Sequence, residues 1–128
     1  MPRTALLLIA HGSRQPEAND DLHHVAAGLR QRGHDIVVAS FLELTEPDIL
    51  EGGRQCVTAG AARVVLLPYF LSAGVHVRRD LHAARQALAG RFPEVEFILA
   101  DALGRHPLLL DVVEQRAREV VDRPDFQK

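Results

Sequence analysis

The chain of 128 residues has a single Cys, no Trp and almost no net charge. One thiol, Cys56, excludes an intramolecular disulfide and every Cys-rich zinc arrangement, and it suits a reducing compartment such as the cytoplasm. With 15 basic against 17 acidic residues, no excess of either sign favours a nucleic-acid backbone or an anionic membrane surface. Neither is expected as a partner. No apolar run approaches the roughly 20 residues of a membrane span. The longest, residues 64–75, is interrupted by Pro68, Ser72 and Gly74. The first, residues 5–10, is too short for a signal-peptide core and lacks its cleavage site. A soluble, cytoplasmic protein is expected.

What is present is an apolar content of 47% and seven His. The length fits one domain with a real core, expected over residues 1–122 and followed by a polar, frayed tail at 123–128. Four Val, Ile and Leu-rich runs, at residues 5–10, 36–41, 64–70 and 95–100, lack strict alternation. Strands buried on both faces of a parallel sheet read this way. Helical patterns lie between them. Ala18, Leu22, Val25, Ala26 and Leu29 form one apolar stripe ended by Gly33, and Leu81, Ala84 and Leu88 form another before Gly90. The segment from Pro47 to Gly60 is the weakest helix because Gly52 and Gly53 sit inside it. The best formed starts at Pro107 and carries Leu108, Leu109, Val112, Val113, Ala117, Val120 and Val121. The order βαβαβαβα predicts an α/β fold: a single four-stranded parallel sheet with helices on both faces and a flavodoxin-like strand order 2-1-3-4.

Open α/β sheets bind ligands beyond the carboxyl ends of their strands. His11-Gly12-Ser13-Arg14 follows the first strand, Glu43 and Glu46 the second, Ser72-Ala73-Gly74-Val75-His76 the third, and Asp101-Ala102-Leu103-Gly104 the fourth. His11 is either a strand-end His bonded to backbone or a site residue, and Gly12 behind it permits close approach of the chain to a ligand. His76 begins the third helix and is either solvated or directed at the same edge. Glu43, between Leu42 and Leu44, is either water-facing or paired with a cation or imidazole. Glu46 fits equally well as an acid at the positive end of the second helix. His23, His24, His34 and His82 read as helix-surface or turn residues, and His106 flanks a helix start. Of the 15 basic residues 14 are Arg, and Arg14, Arg78 and Arg79 lie near the crevice, where guanidinium groups bind carboxylates.

Imidazole and carboxylate suit Zn, Co, Fe and Ni, and three such groups leave coordination positions open. They also serve as bases near neutral pH. Other functions of this sheet fail on the residues. Ala10 stands where a histidine phosphatase needs Arg, a receiver's Asp set is missing, Gly12 is alone where a dinucleotide fold needs three glycines, and no nucleophile elbow occurs.

Taken in order, Leu8-Ile9-Ala10-His11-Gly12-Ser13-Arg14, Glu43-Leu44-Thr45-Glu46-Pro47, Leu67-Pro68-Tyr69-Phe70-Leu71-Ser72-Ala73-Gly74-Val75-His76 with Arg79-Asp80, and Leu103-Gly104-Arg105-His106-Pro107 carry a resemblance over nearly the whole chain. The chain resembles the small sirohydrochlorin chelatases, the CbiX and SirB family of class II chelatases. The resemblance implies a lyase that inserts a divalent metal, Co²⁺ first and Fe²⁺ or Ni²⁺ as alternatives, into the tetrapyrrole sirohydrochlorin on the route to cobalamin or siroheme. The metal is then substrate, with no permanently bound cofactor. His11, His76 and Glu43 are implied as metal ligands and proton acceptors. Glu46, Arg14 and the loop Leu71-Ser72-Ala73-Gly74-Val75-His76 are implied as substrate contacts. Longer relatives carry two such halves, so the short form is expected to work as a homodimer. Outside this class stand a metal or tetrapyrrole carrier without turnover and a plain interaction domain.

Overall fold

A computed structural model describes residues 3–122; the expected tail at 123–128 lies outside the described residues. The elements are β1 (Thr4–Ala10), α1 (Pro16–Gln31), β2 (Ile36–Phe41), α2 (Ile49–Thr58), β3 (Arg63–Pro68), α3 (Val75–Arg91), β4 (Glu96–Leu99) and α4 (Pro107–Val121). All strand pairs are parallel, and the sheet order is β2-β1-β3-β4. This is the strand order expected from the βα repeat.

The period of two along a strand sends alternate side chains to opposite faces. Ala5, Leu7 and Ile9 of β1 join Val64, Leu66 and Phe97 under Ile49 and Cys56 of α2 and Leu81 and Leu88 of α3. On the other face Leu8, Val37, Ala39 and Phe41 pack with Leu22 and Ala26 of α1. Helices therefore cover both faces, and the central strand β1 is buried from each side. Cys56 is wholly buried, and burial pushes its thiol up to about 12. It stays protonated and inert at neutral pH.

Several boundaries differ from the sequence reading. Helix α2 starts at Ile49 instead of Pro47, because Asp48 caps it, its side chain accepting from the Glu51 amide at 2.8 Å. The carbonyl of Pro47 is engaged instead by the amide of Phe41 at 2.9 Å. Strand β3 ends at Pro68, so Tyr69 and Phe70 belong to the following loop. Gly90 does not stop α3. The helix runs to Arg91 and ends at Phe92, where Pro93 disfavours helical geometry in the residue before it. Helix α4 keeps its expected limits yet contributes no buried residue. Leu108, Leu110, Val112, Val113 and Val121 are all exposed. Among the described residues, no helix is long and apolar enough to cross a membrane.

The two glycines that weaken α2 as a helix strengthen it as a layer. A Cβ on Gly52 would stand 2.8 Å from Leu7 Cδ1 and 2.9 Å from Ser40 Cβ, and one on Gly53 would stand 2.5 Å from Leu88 Cδ2. Their absence lets α2 lie directly on the sheet, over a Ser40 hydroxyl that donates to the Leu8 carbonyl at 2.8 Å. Gly28, by contrast, has nothing within 4 Å of its Cβ position. Gly52→Ala is therefore expected to destabilise by roughly 1–2 kcal/mol, overpacking outweighing the gain in helix propensity. Gly28→Ala is expected to stabilise by about 0.5–1 kcal/mol. Denaturant midpoints of the two variants check the opposite signs.

Candidate functional site at the carboxyl edge of the sheet

The site is built on a continuation of the β1–β2 pairing past the ends of both strands. The Leu42 amide donates to the Ala10 carbonyl at 2.9 Å and the Glu43 amide to the His11 carbonyl at 3.1 Å. The next residue, Gly12, has φ +92° and lies against the carbonyl of Glu43 so closely that a Cβ would collide with it. Only glycine meets both demands. On the opposite side of β1, the Tyr69 amide donates to the Ile9 carbonyl at 2.7 Å. The loops that carry His11, Glu43 and residues 69–74 thus diverge from three adjacent strand ends.

After Gly12 the chain is gripped by a side chain from α1. Asn19 Oδ1 accepts from the Ser13 amide at 2.9 Å, and its Nδ2 donates to the Ser13 carbonyl at 2.8 Å. The Ser13 hydroxyl in turn accepts from the Gln15 amide at 3.0 Å. His11, Ser13, Asn19, Asp21 and Tyr69 line a pocket of about 240 Å³. The His11 ring leans on Phe70, with centroids 4.7 Å apart and planes tilted by 32°. The loop after β3 is braced by the loop after β4. The Leu103 amide donates to the Phe70 carbonyl at 3.0 Å, and Gly104 sits where a Cβ would collide with the carbonyl of Leu71.

His76 occupies the second position of α3, after a Gly74 N-cap, and is exposed. Glu43 is also exposed, the water-facing setting that was one of its two readings. Leu42 beside it turns into the core, but Leu44 takes φ +69° and is 53% exposed. Among the described residues no three His, Cys, Asp or Glu side chains are gathered for a metal ion. His11, His76 and Glu43 share one edge of the sheet without closing into a cage, since His11 and Glu43 ride different loops and His76 the first turn of α3.

The remaining expected contacts separate into two regions. Leu71, Ser72, Gly74 and Val75 are exposed on the loop leading to His76, and Arg14 is exposed beyond Ser13. Ala73 is half-buried and shares with Arg78, His82 and Asp101 a second pocket of about 200 Å³. Glu46 opens elsewhere. With Pro47, Asp48, Glu51 and Gln55 it lines a separate, larger cavity of about 560 Å³, and it stands before the α2 cap instead of in the first turn. That groove holds no imidazole. Its Glu51 carboxylate is bound by Arg54, whose hydrogen bonds hold it below the usual carboxylate range.

Other histidines resolve into structural roles. His106 caps α4, its Nδ1 accepting from the Leu108 amide at 3.2 Å, and His23 meets the edge of Phe41 at 5.8 Å. Sequence reasoning missed Asn19 and Phe70. An amide in the first turn of a helix that starts at Pro16 is a usable signal, because that is where side chains satisfy loop backbone. Asn19→Ala is expected to cost about 1–3 kcal/mol by freeing two backbone groups. Faster hydrogen exchange at the Ser13 amide, with exchange in β1 unchanged, checks that the loss is local.

Comparison with known proteins agrees with this architecture. The CbiX family model matches residues 5–120. A sirohydrochlorin cobaltochelatase of Priestia megaterium is 37% identical over 117 residues, covering 91% of this chain and 38% of its own length. A chloroplastic sirohydrochlorin ferrochelatase of Arabidopsis thaliana is 36% identical over 112 residues, covering 87% and 50%. This chain thus spans half or less of those two relatives. A sirohydrochlorin cobaltochelatase of Methanococcoides burtonii is 30% identical over 128 residues, covering 93% of this chain and 98% of its own. Among solved structures, the sirohydrochlorin chelatase SirB of Bacillus subtilis subspecies spizizenii, in complex with cobalt, superposes with a TM-score of 0.83 at 26% identity, covering 92% of this chain and 51% of that one.

Proposed function

The chain belongs to the CbiX family, and from that premise we propose that it is a lyase, a sirohydrochlorin chelatase that inserts a divalent metal into the tetrapyrrole. The observation that carries the reading is the arrangement at the strand ends. His11 and Glu43 are tied backbone to backbone, and His76 heads the helix that follows the adjacent loop. Insertion exchanges the ligands of a metal ion for four ring nitrogens and releases two pyrrole protons. A closed four-ligand site would hold the ion too firmly to hand it on. Two imidazoles on separate elements, a loop and a helix start, bind it loosely, and neutral imidazole or carboxylate accepts the protons. In this reading His11 and His76 are the ligands, with Glu43 as a third acidic group. The metal is cargo, not a resident cofactor.

The surroundings support a large, flat, acidic substrate. Leu44, Tyr69, Leu71 and Val75 expose apolar surface around the edge, suited to the face of a macrocycle. Arg14, Arg78 and Arg79 offer guanidinium groups to its peripheral carboxylates. Glu46 is the least supported contact, because its groove is separate from the His11 pocket. Cobalt is the metal of choice, supported by two relatives named cobaltochelatases. Iron is the alternative, supported by the ferrochelatase relative. Both ions accept the same donors, so supply decides between them as much as affinity does. A cytoplasmic setting belongs to the same reading, in keeping with a lone buried thiol.

His11→Ala and His76→Ala are each expected to abolish insertion of Co²⁺ while leaving the fold intact. The visible absorption change of sirohydrochlorin with limiting Co²⁺, measured against the uncatalysed rate, checks this. Near-normal turnover in both variants would remove His11 and His76 as the ligands, and wild-type insertion no faster than the background would overturn the chelatase reading in favour of a carrier.

The partner in this reading is a second copy of the chain. Leu110, Val113, Ala117 and Val121 recur at the three- and four-residue spacing of one helical stripe, and all are exposed. Ile98 of the edge strand β4 is exposed as well. An isolated domain gains nothing from such a stripe, whereas an isologous contact would bury it twice. Sedimentation velocity is expected to give a dimer for the wild type and a monomer for Val113→Glu. A wild-type monomer would overturn the homodimer.

A further inference from the structure

We propose that Phe70 is a positioning residue that holds the His11 imidazole in the orientation needed to take and release the metal. The inference rests on the chelatase reading of His11. Phe70 is half-buried and packs against the larger core cluster, so its ring is an extension of the core into the site. Its backbone is fixed from both sides. The Tyr69 amide donates to the Ile9 carbonyl, and the Phe70 carbonyl accepts from the Leu103 amide. His11 itself is exposed and, apart from this ring contact at 4.7 Å, its side chain would have the rotamer freedom of any surface imidazole. Ordering such a side chain on binding costs affinity.

A stacked ring is well suited to remove that freedom. Aromatic contact covers the face of the imidazole, while a metal or a proton approaches a ring nitrogen in the plane of the ring. Stacking therefore restricts the ring without blocking its donors. A hydrogen bond to one nitrogen would occupy a donor position instead. Phe70 also lies in the loop that joins β3 to α3, which carries His76 in its first turn. Its place two residues after β3 gives His11 and the start of α3 a common reference.

Three variants and one spectrum test this. Phe70→Leu keeps apolar bulk but removes the stack, and Phe70→Tyr keeps the stack. With Co²⁺ and sirohydrochlorin, Phe70→Leu is expected to lower kcat by about tenfold with KM within about twofold, and Phe70→Tyr to restore kcat. In the wild type, the His11 ring protons, assigned by their loss in His11→Ala, are expected upfield of those of exposed His34. Normal turnover in Phe70→Leu beside an inactive His11→Ala overturns the positioning role alone. So does a Phe70→Tyr variant as impaired as Phe70→Leu, which would mean that packing is all Phe70 supplies. If Phe70→Leu does not fold, an unshifted His11 resonance in the wild type is the overturning result. Normal turnover in His11→Ala overturns the role of His11, and wild-type insertion no faster than the uncatalysed rate overturns the chelatase reading itself; the positioning role falls with either.

Discussion

The contact on which the site depends is the close approach of Gly12 to the carbonyl of Glu43. It extends the parallel pairing of β1 and β2 beyond the last regular residues, so that His11 and Glu43 are tied by their backbones before their side chains do anything. The approach requires positive φ and the absence of a Cβ at one position, which only glycine supplies at low cost. From that point the chain is immobilised by Asn19, whose amide group satisfies both backbone groups of Ser13. The His11 ring receives its own support from Phe70. Backbone, loop and ring are thus restrained by three different interactions.

The same economy of space operates beneath the sheet edge. Gly52 and Gly53 bring α2 onto the sheet and onto Leu88 of α3, and Ser40 uses its hydroxyl to bond across to β1. A rigid β1 is what allows its terminal carbonyls to serve as fixed points for the loops on either side. The edge loops also brace one another, Leu103 and Gly104 packing against the backbone of Phe70 and Leu71. In contrast α4 buries none of its residues and leaves its apolar stripe exposed. The domain is well packed where it carries chemistry and unfinished where a second copy is proposed to sit.

Much of this architecture was legible in the residues. The βα alternation and the doubly buried apolar runs point to a parallel sheet with helices on both faces, and the flavodoxin-like order expected for it is the one observed. His11 and His76 stood out by position, since the topology delivers strand-end residues to one edge. What was hidden depends on tertiary contact. The glycines of α2 read as helix breakers until their neighbours are known, and the apolar pattern of α4 does not reveal that its stripe is exposed. Glu43, between Leu42 and Leu44, reads as water-facing or paired, and only the structure, with its left-handed Leu44, shows the residue exposed. Asn19 is signalled only by its place in a first helical turn and Phe70 only as one residue of the segment 67–76, so their contacts with Ser13 and His11 appear only in the folded chain. Glu46 fell on the other side of the α2 cap, a separation of a few residues that the sequence does not register.

On this account imidazoles from the loop after β1 and from the first turn of α3 serve one metal ion at this edge. X-ray absorption of the Co²⁺-loaded protein tests this directly, because imidazole ligands give characteristic outer-shell scattering. Two histidine ligands are expected in the wild type, falling to one in His11→Ala and in His76→Ala. Cobalt bound without imidazole, or a ligand count unchanged by either substitution, would contradict it.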